Sequence, residues 1–271
     1  QVDMDAVQNA SMVQFDMNGT VEVMVKKNNG TVREVDIRPL SCNIQYRQNK
    51  NVITFMLDKP QYLSVEFNGD RLHNLHLFAN PLETEVYKKA EKGIMYFGPS
   101  VHAPLDLPNN LIRVPGNTTV YLAPGAVLKA KLLVDNAENV RIIGRGILDH
   151  PVRGIEITDA KNVLIDGITV VNSRHYTVSG GQSQGITIKN LKSFSYQGWS
   201  DGLDSSEIVI RNLKTFSCKS WSDGIDMMCC RKVLVDNAFL RTGDDCIALY
   251  NHRWNWWGGS SDITVRNSVL W

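Results

Sequence analysis

The 271-residue sequence predicts an all-β chain in two parts: an antiparallel β-sandwich over residues 1–94, then a parallel β-helix over 95–271. Two observations carry that reading. From Val140 onward one short motif returns again and again, whereas before Gly93 strand-like runs follow one another without a period. No helical spacing separates the repeats, which argues against leucine-rich and helical solenoids.

In the first part, strand-like runs cover Met12–Met17, Thr20–Lys26, Thr31–Ile37, Asn51–Leu57, Tyr62–Phe67 and Leu75–Phe78. Turn signals such as Asn18-Gly19, Asn29-Gly30, Asp58-Lys59-Pro60 and Asn68-Gly69-Asp70 divide them. Alternation as in Val21-Glu22-Val23-Met24-Val25 suits two antiparallel layers with one face wet. The expected role is to cap the open end of the solenoid, whose first coil would otherwise expose strand edges. Glu83–Lys92 is expected to form one short helix linking the two parts, with strands resuming at Ile94-Met95-Tyr96-Phe97.

In the second part, Val140-x-Ile142-x-Gly144 recurs as Val163-x-Ile165-x-Gly167, Ile186-x-Ile188-x-Asn190 and Ile208-x-Ile210-x-Asn212. It returns twice more, as Val233-x-Val235-x-Asn237 and Ile263-x-Val265-x-Asn267. The steps are 23, 23, 22, 25 and 30 residues, one coil per repeat. Residues one period apart should therefore lie about 4.8 Å apart.

That geometry gives the carboxylates their meaning. Asp223, Asp226, Asp244 and Asp245 sit inside the ladder, and Asp223 is expected to meet Asp244 on the next coil. Converging carboxylates repel, which raises at least one pKa. Glycoside hydrolysis uses such a group, one acid for the leaving oxygen and one base or nucleophile. A Ca²⁺ site is the other use of clustered carboxylates. Asp236 and Asp262 read as turn residues and His175 as a polar residue of the cleft floor.

All six tryptophans fall in the last third. The run Tyr250-Asn251-His252-Arg253-Trp254-Asn255-Trp256-Trp257-Gly258-Gly259 follows the Asp pair and accounts for the longest step. It is expected to project beside the acids, where indole faces stack on sugar rings. Trp199, Asp201, Trp221, Asp226, Tyr250, His252, Arg253 and Trp254 are the candidate substrate contacts, with Asp201 expected one rung below Asp223.

Composition excludes several classes. A net charge of +1 gives no basic excess for nucleic acid or anionic lipid, and no apolar run reaches the roughly 20 residues that cross a bilayer. The chain starts at Gln1, consistent with a processed, secreted or periplasmic protein whose signal peptide is gone. The five cysteines, Cys42, Cys218, Cys229, Cys230 and Cys246, have no Cys-x-x-Cys spacing and are expected as buried thiols.

The stretch from Thr119 to Trp271 resembles the polygalacturonase-type glycoside hydrolases, whose clan includes dextranases and isopullulanases. Gly144-Arg145-Gly146-Ile147-Leu148-Asp149 is similar to the clan's Gly-x-Gly-x-Ile-Asp coil. Asn172-Ser173 followed by Tyr176 resembles its Asn-Ser-Pro-aromatic segment, with Arg174 in place of proline. Ser222-Asp223-Gly224-Ile225-Asp226 is similar to Asn-Thr-Asp-Gly, and Thr242-Gly243-Asp244-Asp245-Cys246-Ile247-Ala248 to the Asp-Asp motif. The sandwich-then-helix order, with Phe97-Gly98-Pro99 and Val120-Tyr121-Leu122-Ala123-Pro124-Gly125, looks more like the dextranase side. The resemblance implies a right-handed β-helix, Asp244 as general acid, Asp223 and Asp245 activating water, inversion, and no metal or other cofactor. The family's later Gly-His-Gly and Arg-x-Lys motifs have no counterpart before Trp271, so a fragment of a longer protein is expected.

The leading expectation is thus a hydrolase of an α-linked polysaccharide, pectic or α-glucan. A Ca²⁺-dependent lyase and a non-catalytic carbohydrate-binding β-helix are the alternatives.

Overall fold

The computed structural model describes residues 10–104, 108–195, 201–219, 221–253 and 256–271. The chain divides into two compact units, Gln1–Glu85 and Val86–Trp271. The described residues are all β apart from two single 3₁₀ turns.

In the first unit, strands Ser11–Met17, Asp70–Pro81, Gln61–Phe67 and Val35–Arg38 form one sheet, and Val21–Lys26, Val52–Leu57 and Tyr46–Asn49 form another. Pairing is antiparallel except that Ser11–Met17 runs parallel to Asp70–Pro81. Val23, Val25, Ile53, Phe55, Leu57, Leu63, Val65 and Leu77 fill the space between the sheets. The wet face expected of the first sheet is not there, because Gln61–Phe67 is buried on both sides past its first residue. Its second face carries polar groups that satisfy one another. The Tyr62 hydroxyl donates to Asn80 Oδ1 at 2.6 Å, and Asn74 Nδ2 donates to Ser64 Oγ at 2.9 Å.

The helix expected over Glu83–Lys92 is also absent: this stretch is turn and extended chain. Tyr87 explains why. Its ring packs edge-on against Tyr121 at 5.6 Å and its hydroxyl accepts from Arg141 Nη1 at 3.0 Å, contacts that outweigh the weak helical preference of so short a segment.

The second unit is a parallel solenoid with three faces. The ladder face comprises Ile94–Phe97, Thr119–Leu122, Glu138–Gly144, Lys161–Asp166, the latter halves of Val178–Lys189 and Asp201–Arg211, then Arg231–Asp236 and Ser261–Arg266. A second face runs from Val101–His102 to Val269–Leu270. The third holds Leu111–Arg113, Lys131–Asp135, Ile155–Thr158, the first halves of the two long strands, Ile225–Met228 and Ile247–Tyr250. Register on the ladder face is the one the repeat predicts: Val140 pairs Val163, then Ile186, Ile208, Val233 and Ile263. Their side chains point inward and build one continuous core, each worth about 1.5–3 kcal/mol of burial.

The turn residues closing each ladder strand do specific work. Asn190, Asn212, Asn237 and Asn267 lie at φ 53–56, the left-handed region asparagine tolerates best after glycine. Their carboxamides also bond from coil to coil, Asn212 Nδ2 to Asn190 Oδ1 at 2.9 Å and Asn190 Nδ2 to Asp166 Oδ1 at 2.7 Å. Asp236, expected to make local turn bonds, instead bonds to the next coil, receiving Arg266 and Asn267 at 2.9 Å each. Of the five cysteines only Cys230 is fully buried; Cys218 is exposed, because it lies in the connection before the third face rather than on an inward column.

Candidate active site

The acids gather where the third face begins. Ile225 pairs Ile247, and the Gly224 N–H donates to the Asp245 carbonyl at 2.7 Å, so an offset of 22 residues brings Asp223 beside Asp245. Asp244 joins them: one oxygen from each of Asp223, Asp244 and Asp245 lies within 4.8 Å of the other two. Three oxygens this close also suffice to approach a cation.

Two glycines make the approach possible. A Cβ on Gly224 would collide with the Cys246 carbonyl oxygen, and one on Gly243 with that of Lys219. Short polar bonds then fix the turns. Ser217 Oγ donates to the Ser222 carbonyl at 2.9 Å, Ser222 Oγ bonds the Lys219 carbonyl, and Thr242 Oγ1 donates to the Asp244 carbonyl at 2.8 Å. The carboxylates themselves are held by backbone donors: Trp221 N–H on Asp244 Oδ2 at 3.0 Å, Asp245 N–H on Asp223 Oδ1 at 3.2 Å.

Burial sorts the four acids. Asp244 and Asp245 are exposed, Asp223 is buried, and Asp226 is 0% exposed. Desolvation, followed by the charge of Asp244, raises the pKa of Asp223. Asp226 is pushed up to about 7 by desolvation and then by the charge of Asp223, and Arg253 pulls it down less strongly. The buried acid Asp226 is thus the one that holds a proton most readily, and Asp244 and Asp245 face the solvent side. Tyr176 shares that floor, its hydroxyl raised by burial and then by the charge of Asp226.

Asp226 does not present an open contact, contrary to its expected substrate role. Arg253 Nη1 covers it at 3.0 Å and lies over the Tyr250 ring at 4.2 Å, so Arg253 and Tyr250 form a lid on a buried carboxyl. His252 is exposed and stacks on Trp257, and Trp221, whose backbone N–H holds Asp244, is 69% exposed. The run after Tyr250, expected to project, pairs His252–Arg253 with Trp256–Trp257 and folds back, Arg253 onto Asp226 and Trp256 onto Gly181. Trp199 and Trp254 lie outside the described residues.

Asp201 is not one rung below Asp223. Its neighbour Gly202 pairs Asp226, an offset of 24 rather than 22. The connection from Ser217 to Ile225 is two residues longer than that from Ser195 to Asp201, an insertion that the 25-residue ladder step contains but does not locate within the coil. Sequence reasoning also missed Gly181. The Trp256 indole lies against it, in space any Cβ would occupy; only the paired Gly180-Gly181 in a strand-like run hinted at so close an approach.

Comparison with known proteins agrees with this picture. The sequence matches the model of the glycosyl hydrolases family 28 over residues 121–257, half of the chain. No curated protein matches it. Among solved structures it is similar to Dex49A from Penicillium minioluteum, with a TM-score of 0.62 and 15% identity over 96% of this chain and 67% of that one. A protein of Parabacteroides merdae is matched with a TM-score of 0.37 and 16% identity, over 65% of this chain and 81% of that one. The surface protein and adhesin PfbA of Streptococcus pneumoniae is matched at 0.37 and 11%, over 54% and 58%.

Proposed function

Because this chain belongs to glycosyl hydrolase family 28, we propose that it cleaves an α-linked polysaccharide with inversion, using Asp223, Asp244 and Asp245. The observation that carries the proposal is the meeting of these three carboxyls within 4.8 Å at one exposed end of the third face.

Roles follow from position and from the family resemblance together. Asp244 is exposed and can meet a glycosidic oxygen, so it serves as the acid. Asp223 and Asp245, tied by the 3.2 Å bond, hold and deprotonate the attacking water. The carboxyl oxygens lie closer than the roughly 6.5–9.5 Å of most inverting pairs, so stereochemistry rests on the family resemblance. Proton NMR of the first product anomer reads it directly, and retention would overturn it.

The resemblance favours a pectic polymer. One observation favours a neutral α-glucan instead: the Arg253 guanidinium is turned into Asp226 at 3.0 Å and lies over the Tyr250 ring, so it is not offered to a uronate carboxylate. Reducing-end release from a panel of pectic and α-glucan polymers decides between them. Ultraviolet-absorbing products that vanish with a chelator would point to a lyase and sink hydrolysis. In keeping with a polymeric substrate, the protein is proposed to act outside the cytoplasm.

A further inference from the structure

We propose that the corner between the third face and the ladder face is a second carbohydrate-binding niche, one that seats a neutral sugar unit away from the acid cluster. The niche is built by a missing residue. In four coils two residues turn this corner, Asn136-Ala137, Asp159-Ala160, Gln182-Ser183 and Cys229-Cys230. The first of each pair has φ 48, 49, 54 and 55, and the second is buried. In the coil between the last two, Gly181 pairs Asp204 and Ser183 pairs Ser205, so Ser205 alone turns the corner and Gln182 has no counterpart. The 22-residue step from Ile186 to Ile208 is this deletion written in the sequence.

The gap leaves a hollow of about 470 Å³ lined by Asp159, Gln182, Ser205, Ser206, Cys229 and Arg231, among others. That is the size of a small-molecule site rather than an ion site. Ser205 is 6% exposed and its hydroxyl has no hydrogen-bond partner. A buried polar group left unmatched costs about 1–3 kcal/mol, so a ligand hydroxyl that pairs with it removes a standing penalty. The Asp159 carboxylate makes no bond to any described residue and offers an acceptor. Arg231, whose Nε donates to the Gly259 carbonyl at 3.3 Å, supplies the opposite charge. Of the lining charges, Lys161 is matched by Glu138 at 3.3 Å, which leaves one carboxylate and one guanidinium; with the serine hydroxyls and glutamine amides beside them they suit groups that both donate and accept.

The reading of the chain as a carbohydrate enzyme supplies only the class of ligand; the niche and the acids lie at opposite ends of the third-face strands and can be tested apart. Ligand-observed NMR on the whole chain carrying Asp244→Asn, with neutral gluco-, galacto- and mannotetraose and with tetragalacturonate, is the experiment. At least one neutral tetrasaccharide should bind, and Ser205→Ala with Asp159→Leu should weaken it tenfold or more while the unfolding midpoint holds. Should that pair unfold the coil, Ser206→Phe, which fills the hollow from outside, must produce the same loss. The niche is overturned if no neutral tetrasaccharide binds, if binding ignores these substitutions, or if only tetragalacturonate depends on them. Failure of the acid assignment shows instead as turnover surviving Asp244→Asn, which leaves the niche result standing.

Discussion

The ladder face and the third face are cut from the same coils, yet they solve different problems. On the ladder face, inward Val and Ile columns and outward Asn turns repeat in strict register from Val140 to Ile263. On the third face one corner loses a residue, the connection leading into Ile225 gains two, and four acids gather at one end. Regularity buries apolar area at a steady rate. Departures from it place side chains that packing alone would reject. Stability should therefore live on the first face and chemistry on the third, and substitutions should separate the two.

The widest separation is expected between Asp244→Asn and any ladder-face change. Removing the acid should lower kcat by about 10²–10⁴-fold, and the unfolding midpoint should hold, because Asp244 is exposed. Turnover within a few-fold of the native chain would end the acid assignment. Ile165→Ala is the mirror image. Ile165 is fully buried in the solenoid core, so truncation should cost about 2–5 kcal/mol and leave kcat intact below the new midpoint. A normal midpoint there would mean the core does not carry the coil.

Asp226 crosses the divide, since it belongs to the third face but is buried like a core residue. Its folded pKa, about 7, stands above the ordinary 3.8. Between those values the folded chain binds the extra proton, so stability should fall as pH rises from about 4 to 7. The slope should sum to a few kcal/mol, shared with the coupled Asp223. Urea unfolding across that window checks it, and Asp226→Asn should flatten the profile. Stability that climbs with pH through the window, and an Asn variant with the same climb, would show that Asp226 stays ionised under Arg253.

How much of this was legible in the sequence follows the same division. The ladder register could be read residue by residue, because Val163 and Ile165 recur at a period that only stacking explains. The meeting of Asp223 with Asp244 and Asp245 could be read too, since it needs only one short coil between them. Asp201 could not, because the two extra residues before Ile225 sit in a connection with no repeated motif. The burial of Asp226 was equally hidden, for it depends on Arg253 folding back from a loop 27 residues later. The helix expected over Glu83–Lys92 gave way to Tyr87 packing, a tertiary contact that local propensity does not encode.

The smallest effect tests what the turns contribute. Asn212 combines a φ of 53 with a carboxamide that bonds Asn190 at 2.9 Å and receives Asn237 at 3.4 Å. Asn212→Ala should lose both, the left-handed tolerance at about 1 kcal/mol and a weak, partly exposed pair of hydrogen bonds at about as much again. Asn212→Gly keeps the backbone freedom and loses only the bonds, so it should recover about half of the deficit in urea unfolding. If glycine were no better than alanine, the ladder would be held by its carboxamides rather than by backbone shape. The strict register of the ladder face would then have a side-chain cause.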